Sequence, residues 1–112
     1  MNGITPLRLN KEFKRAYGRG KSFVHSAVVT YVVPTKFGGI RLGITTGKKM
    51  GSAVERNRAR RVIRAAFTQL EGRIDGSWDF VFVARSRTAQ VKMQCVLYDM
   101  EQQLLSLGVI NE

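Results

Sequence analysis

Residues 46–67 read TGKKMGSAVERNRARRVIRAAF, and their periodicity decides how the rest of the chain has to be arranged. Ser52 with Glu55 three positions on is the S-x-x-E capping box that opens a helix. At about 100° per residue, Ala59, Val62, Ile63, Ala66, Phe67 and Leu70 fall on one arc of the wheel. Arg56, Asn57, Arg58, Arg60, Arg61 and Arg64 fill the remaining arc. One face can therefore cover a sheet while the other presents guanidinium groups, planar donor forks suited to phosphate oxygens. Runs of charge are commonly just solvated helix surface. Here five arginines within nine residues have only Glu55 nearby to balance them. Repulsion at that density destabilises a free helix unless an anion neutralises it. The expectation is a helix that docks on folded RNA.

The charge of the whole chain points the same way. Its 112 residues carry 19 Lys+Arg against 8 Asp+Glu, a net charge of +11. Residues 1–64 hold 15 basic and 2 acidic side chains, whereas residues 65–112 hold 4 and 6. A surplus confined to half the chain is a footprint for a polyanion rather than a device for solubility. The length suits one domain over 1–112 with one core, and 44% hydrophobic residues argue against wholesale disorder. Cys95 is the only cysteine, which excludes an intramolecular disulfide. Lying in an apolar helical pattern, it is expected to be buried. No apolar run approaches the ~20 residues of a membrane span, and MNGITPLRLNKEF lacks the apolar core of a signal peptide. The cytoplasm is the expected location.

Working outward from the central helix, residues 1–9 read as an extended lead-in, with Pro6 biasing Thr5 away from helix. Asn10 can cap a short helix over Lys11 to Tyr17, which Gly18 would stop. From Ser22 to Val33 the chain is rich in valine and aromatics, and His25-Ser26 can divide it into two strands. Ile40, Leu42 and Ile44 alternate with Arg41, Gly43 and Thr45 after a Gly-Gly turn, which predicts a hairpin partner. Residues 78–84, WDFVFVA, are apolar almost throughout, as in a strand covered on both faces. Met93, Val96, Leu97, Met100, Leu104 and Leu107 form the stripe of a last helix near 90–107. Helix, two or three strands, helix, strand, helix is an α+β sandwich.

Catalytic chemistry is sparse. His25 stands in strand context without a nearby Cys or carboxylate to complete a triad. Asp75 and Asp79 are the closest pair of carboxylates to consider for metal, and four residues apart across a loop-to-strand junction they read as turn solvation. No Cys/His spacing fits a metal site. By itself the chain lacks the groups to cut a phosphodiester. A basic amphipathic helix can also lie on anionic lipid. This one has a small, valine- and alanine-rich apolar arc without a Trp anchor, and the sheet needs it. Phe13, Tyr17 and Tyr31 give a second signal, since aromatics beside a basic helix can stack unpaired bases, although they can equally be core. The hydroxyls of Tyr17 and Tyr31 favour a wet edge.

Lys48-Lys49-x-Gly51-x-Ala53-Val54-x-Arg56-Asn57-Arg58-x-Arg60-Arg61-x-x-Arg64 resembles the signature of the bacterial ribonuclease P protein component. Asn10-Lys11-Glu12-Phe13, Gly20, Arg41-Leu42-Gly43 and Ala84-Arg85 agree with it, and the likeness covers essentially the whole chain. It implies an α-β-β-β-α-β-α fold with a four-stranded mixed sheet and a left-handed βαβ crossover at the RNR helix, where general handedness rules predict the opposite hand. It also implies an accessory subunit of an endoribonuclease whose large RNA is catalytic and which removes the 5′ leader of precursor tRNA. Lys48, Lys49, Arg56, Asn57, Arg58, Arg60, Arg61 and Arg64 would then face the catalytic RNA. Phe13, Lys14, Tyr17 and Tyr31 would hold the single-stranded leader. Mg²⁺ would be bound mainly by the RNA; catalytic residues in this chain would be none, and its own metal sites are left open. No membrane or DNA partner is implied.

Some positions depart from the family pattern. Arg60 stands where Lys is frequent, and Ala65 where an acidic residue often follows Arg64. Tyr17 replaces a frequent Phe, and Val28 a larger side chain, which would make the cleft floor shallower. The alternative of a different class is a ribosomal-type RNA-binding or chaperone protein with no attached reaction. Composition does not separate the two; the order of the motifs does.

Overall fold

A computed structural model of the chain describes residues 4–7, 10–19, 21–24, 27–36, 38–47 and 51–110. The elements run β1 (Ile4–Pro6), α1 (Asn10–Arg19), β2 (Lys21–Val24), β3 (Val28–Pro34), β4 (Ile40–Thr46), α2 (Ala53–Leu70), β5 (Trp78–Ala84) and α3 (Met93–Ser106). One mixed sheet has the order β1-β4-β5-β3-β2. β1 and β4 are parallel, as are β4 and β5, while β3 is antiparallel to both β5 and β2. The expected four strands are thus present in an α+β arrangement. The lead-in adds β1 at the edge, with Thr5 opposite Arg41 and Pro6 opposite Leu42. Proline is tolerated there because an edge position does not need its missing N–H.

One expectation is corrected. β4 does not fold back on β3 as a hairpin, because β5 lies between them and pairs with both. Residues 35–39 therefore bridge two strand spacings, roughly 10 Å, which five residues reach easily. WDFVFVA explains the insertion: only a central strand with both faces covered buries so many apolar side chains, and Phe80, Val81 and Phe82 are fully buried. α2 connects the parallel neighbours β4 and β5. The helix α1 also runs further than expected, through Gly18 to Arg19. A glycine at an exposed helix end costs about 1 kcal/mol and does not force a stop.

The sheet is covered unequally. On one face α2 and α3 seal the larger core with Ile63, Phe67, Met100 and Leu104 against Phe80, Phe82, Val28 and Val32. The Phe67 ring packs edge-on to Phe80 and Phe82, with centroids 5.2 and 5.5 Å apart. α3 is also fixed by buried polar contacts: Gln103 Nε2 donates to the Val28 carbonyl at 2.9 Å, and the Ala27 N–H donates to Asp99 at 3.2 Å. The Thr30 hydroxyl donates to Gln103 Oε1 in the same seam. Cys95 is exposed rather than buried, because it precedes Val96 by about 100° on the wheel and so misses the stripe. On the other face α1 covers only a small cluster of Leu7, Ala16, Val33 and Val81, with Phe13 and Tyr31 packed against it. Val28 belongs to the opposite core, so it forms no part of a floor beneath α1. His25 lies outside the described residues.

Candidate nucleic-acid interface

The capping box expected at Ser52 is formed: the Glu55 N–H donates to Ser52 Oγ at 3.2 Å and the Ser52 N–H to Glu55 Oε1 at 3.3 Å. Gly51 precedes it with φ +106, and a Cβ there would stand 2.5 Å from Glu55 Oε1. The left-handed backbone is what demands glycine at this position. The six side chains of the apolar arc are all buried, as the wheel requires. What remains outward is the basic arc.

The five arginines are not equivalent. Arg56 Nη1 donates to the Gly51 carbonyl at 2.9 Å, on the flank near the helix start. Arg60 leans toward β4, donating to Thr46 Oγ1 at 2.9 Å and to Asn57 Oδ1 at 3.2 Å. Arg58 faces the opposite flank and donates through Nε to the Ala89 carbonyl at 3.0 Å. Arg61 and Arg64 are exposed and make no hydrogen bond or ion pair through their guanidinium groups among the described residues. Every acceptor named for Arg56, Arg58 and Arg60 is a neutral oxygen, which orients a guanidinium without cancelling its charge. The face is thus pre-positioned and electrostatically unsatisfied, the state that favours phosphate binding.

Lys48 and Lys49 lie outside the described residues. The register pairs Thr46 with Ala84, so Gly47 and Arg85 leave the sheet side by side at the same end of two parallel strands. A 3-10 turn over Ser86–Ala89 follows, tied to α2 through Arg58 and carrying exposed Arg87. Sequence reasoning did not place Arg87 on this surface. Its signal is positional: a basic loop at the carboxyl end of a parallel strand, where α/β sheets open their crevices.

On the opposite face of the sheet, Phe13, Lys14 and Tyr17 line an open cavity of about 380 Å³ with Asn10 and Thr45. Phe13 and Tyr17 are one helical turn apart, as the i, i+4 spacing requires. Tyr31 stands behind rather than in the cavity lining, with its ring edge-on to Tyr17 at 4.9 Å. Tyr17 is exposed and Phe13 half-buried, so the rings present a partly wet aromatic wall. Phe13 comes so close to β4 that a Cβ on Gly43 would lie 2.6 Å from its ring. Glycine at 43 is what lets α1 seat here.

An ionic clasp holds α1 in that seat. Arg41 Nε and Nη2 donate to the two carboxylate oxygens of Asp79, both at 2.7 Å, and Nη1 donates to Glu12 Oε2 at 2.6 Å. Asp79 is buried, which corrects its reading as a turn-solvating residue. The Asp79 hydrogen bonds hold the Arg41 pKa above its ordinary value, against the opposing cost of burial, and the charges of Asp79 and Glu12 add to the rise. Bidentate arginine–carboxylate geometry is the strong form of such pairing. Two of the chain's few carboxylates thus serve to position the aromatic helix.

No group of three or more His, Cys, Asp or Glu side chains suited to a metal ion occurs among the described residues. No described helix is long and apolar enough to cross a membrane.

Known proteins resemble this arrangement along its whole length. A family model described as Ribonuclease P matches residues 1–108. The ribonuclease P protein component of Caldanaerobacter subterraneus subsp. tengcongensis is 33% identical over 109 residues, covering 97% of this chain and 94% of that protein. The structure of the Staphylococcus aureus RNase P protein at 2.0 Å superposes with a TM-score of 0.83 at 30% identity, over 95% of this chain and 97% of that one. The Thermotoga maritima RNase P protein gives a TM-score of 0.73 at 28% identity, over 91% and 93%. Sequence, fold and basic surface converge, and the chain belongs to the ribonuclease P protein family.

Proposed function

We propose that this chain acts as the protein subunit of a ribonuclease P ribonucleoprotein in which the RNA subunit performs the hydrolysis. The observation that carries the reading is the outward arc of α2, where exposed Arg61 and Arg64 and three oriented arginines have no carboxylate hydrogen-bond partner among the described residues. That face binds the catalytic RNA. The α1 cleft, walled by Phe13 and Tyr17 with Lys14 at its rim, holds the single-stranded 5′ leader of precursor tRNA by stacking and charge. Tyr31 contributes by supporting Tyr17.

In this reading Mg²⁺ is held mainly by the RNA subunit. The protein's work is to bind, orient and shield. Its guanidinium forks offset phosphate repulsion between the RNA subunit and the substrate.

Cleavage of precursor tRNA at low Mg²⁺ tests this with three mixtures: RNA subunit alone, protein alone, and both. The reading predicts activity only where the RNA is present, with the protein strengthening substrate capture. Cleavage by the protein alone would overturn it. Failure of the protein to assist the RNA would favour an RNA-binding protein with no attached reaction.

A further inference from the structure

β1 ends at Pro6 and covers only Ile40–Leu42 of β4, while β4 continues to Thr46. Past that point the sheet edge opens between α1 and α2 into a pocket of about 410 Å³. Pro6, Leu7, Leu42 and Ile44 give it an apolar floor, and Phe13 forms a wall. Arg60 and Arg64, one turn apart on α2, stand at its rim. No carboxylate among the described residues lines it. Among the described residues Arg60 is oriented only by neutral acceptors on Asn57 and Thr46, and the Arg64 guanidinium has no partner.

We propose that this edge pocket takes one unpaired nucleotide of the RNA subunit, its base on the apolar floor and its phosphate between the two guanidinium forks. The proposal rests on the reading of α2 as the RNA dock and gives that dock a specific anchoring point. A ligand that fits must combine a flat apolar part with an anion about one helical turn wide, which describes a nucleotide. The volume falls in the range of roughly 300–1,000 Å³ usual for small-ligand pockets. The nucleotide must be unpaired, because bases in an A-form duplex are stacked and its deep groove admits no side chains. The source is the RNA subunit rather than the leader. The rim arginines project from the same arc as Arg61, whereas the leader cleft lies on the other side of Phe13.

A photo-crosslinking side chain at Pro6, in the full chain bound to the RNA subunit without precursor tRNA, tests the placement. Pro6 is exposed, so the substitution leaves both cores intact. A crosslink to a single unpaired nucleotide of the RNA subunit is expected; crosslinking to the leader alone once precursor is added, or to no RNA, overturns the proposal. Two variants test the energetics: Pro6→Trp fills the pocket, and Arg64→Leu removes one of its two guanidinium forks. Each should weaken RNA-subunit binding about tenfold, as for one stacked base or one phosphate contact. The double variant should be no weaker than the stronger single, since both act on one bound nucleotide. Independent, fully additive losses overturn the shared site, with thermal melts confirming that each variant is folded. If Arg61→Ala leaves RNA-subunit affinity and its salt dependence unchanged, the reading of α2 itself has failed. If Arg61→Ala weakens binding and Pro6→Trp does not, only the pocket proposal fails.

Discussion

The two faces of the sheet are built by different means. Under α2 and α3, shape and hydrophobicity do the work, with rings from α2 and β5 interlocked. Under α1 the apolar contact is small, and an Arg41-centred clasp and a missing Cβ at Gly43 supply the fixing. The difference follows from what each helix has to present outward. α2 can bury six apolar side chains because its solvent face is mostly charged and polar and has no packing role to fill. α1 has to leave Tyr17 and part of Phe13 uncovered to keep an aromatic wall, so less apolar surface remains to hold it. Directional polar contacts replace the lost burial.

Substitutions should separate these two modes of attachment. Phe80→Ala, in the larger core, should cost about 3–5 kcal/mol of unfolding free energy, read from urea denaturation, because it leaves a cavity among locked rings. Asp79→Ala should cost less, about 2–3 kcal/mol, by leaving Arg41 half-paired in a mostly buried site. Restoring part of that loss by adding Arg41→Met would show that the penalty is the orphaned charge; an unchanged loss would mean that the clasp is not the fixing contact. Asp79→Ala should also reduce discrimination between precursor and mature tRNA more than it reduces RNA-subunit affinity, since α1 and not α2 loses its seat. Tyr17→Ala should lower precursor binding about tenfold, one stacked base, with little effect on stability. Ser52→Ala should remove about 1 kcal/mol by unmaking the cap of α2, visible as a small drop in melting temperature.

Much of the first mode was legible in the sequence and little of the second. The helical period placed all six buried residues of α2 correctly, because packing of an amphipathic face depends on local spacing alone. WDFVFVA announced a doubly covered strand for the same reason. Which strands it separates was not written locally: β5 pairs with β4 and β3 across long stretches of chain, and a Gly-Gly turn looks the same whether it closes a hairpin or skips a strand. The clasp joins residues 29 and 38 positions apart, so Asp79 looked like a turn residue until Arg41 was beside it. Cys95 lies in an apolar helix yet one position off its stripe, so membership of the helix does not bring burial. In the candidate site, Phe13, Lys14 and Tyr17 converge as expected, and Tyr31 takes a supporting place. A left-handed crossover is implied by the family likeness alone, since periodicity has no handedness.

The division of labour between the two faces is the central claim. It is tested most directly by the salt dependence of RNA-subunit affinity for Arg61→Ala and Tyr17→Ala, measured side by side. Arg61→Ala should make the slope of log affinity against log salt shallower by about one, the loss of one phosphate contact. Tyr17→Ala should leave that slope unchanged. Equal changes in both slopes, or a change in Tyr17→Ala alone, would contradict a protein with one face for the RNA subunit and the other for the leader.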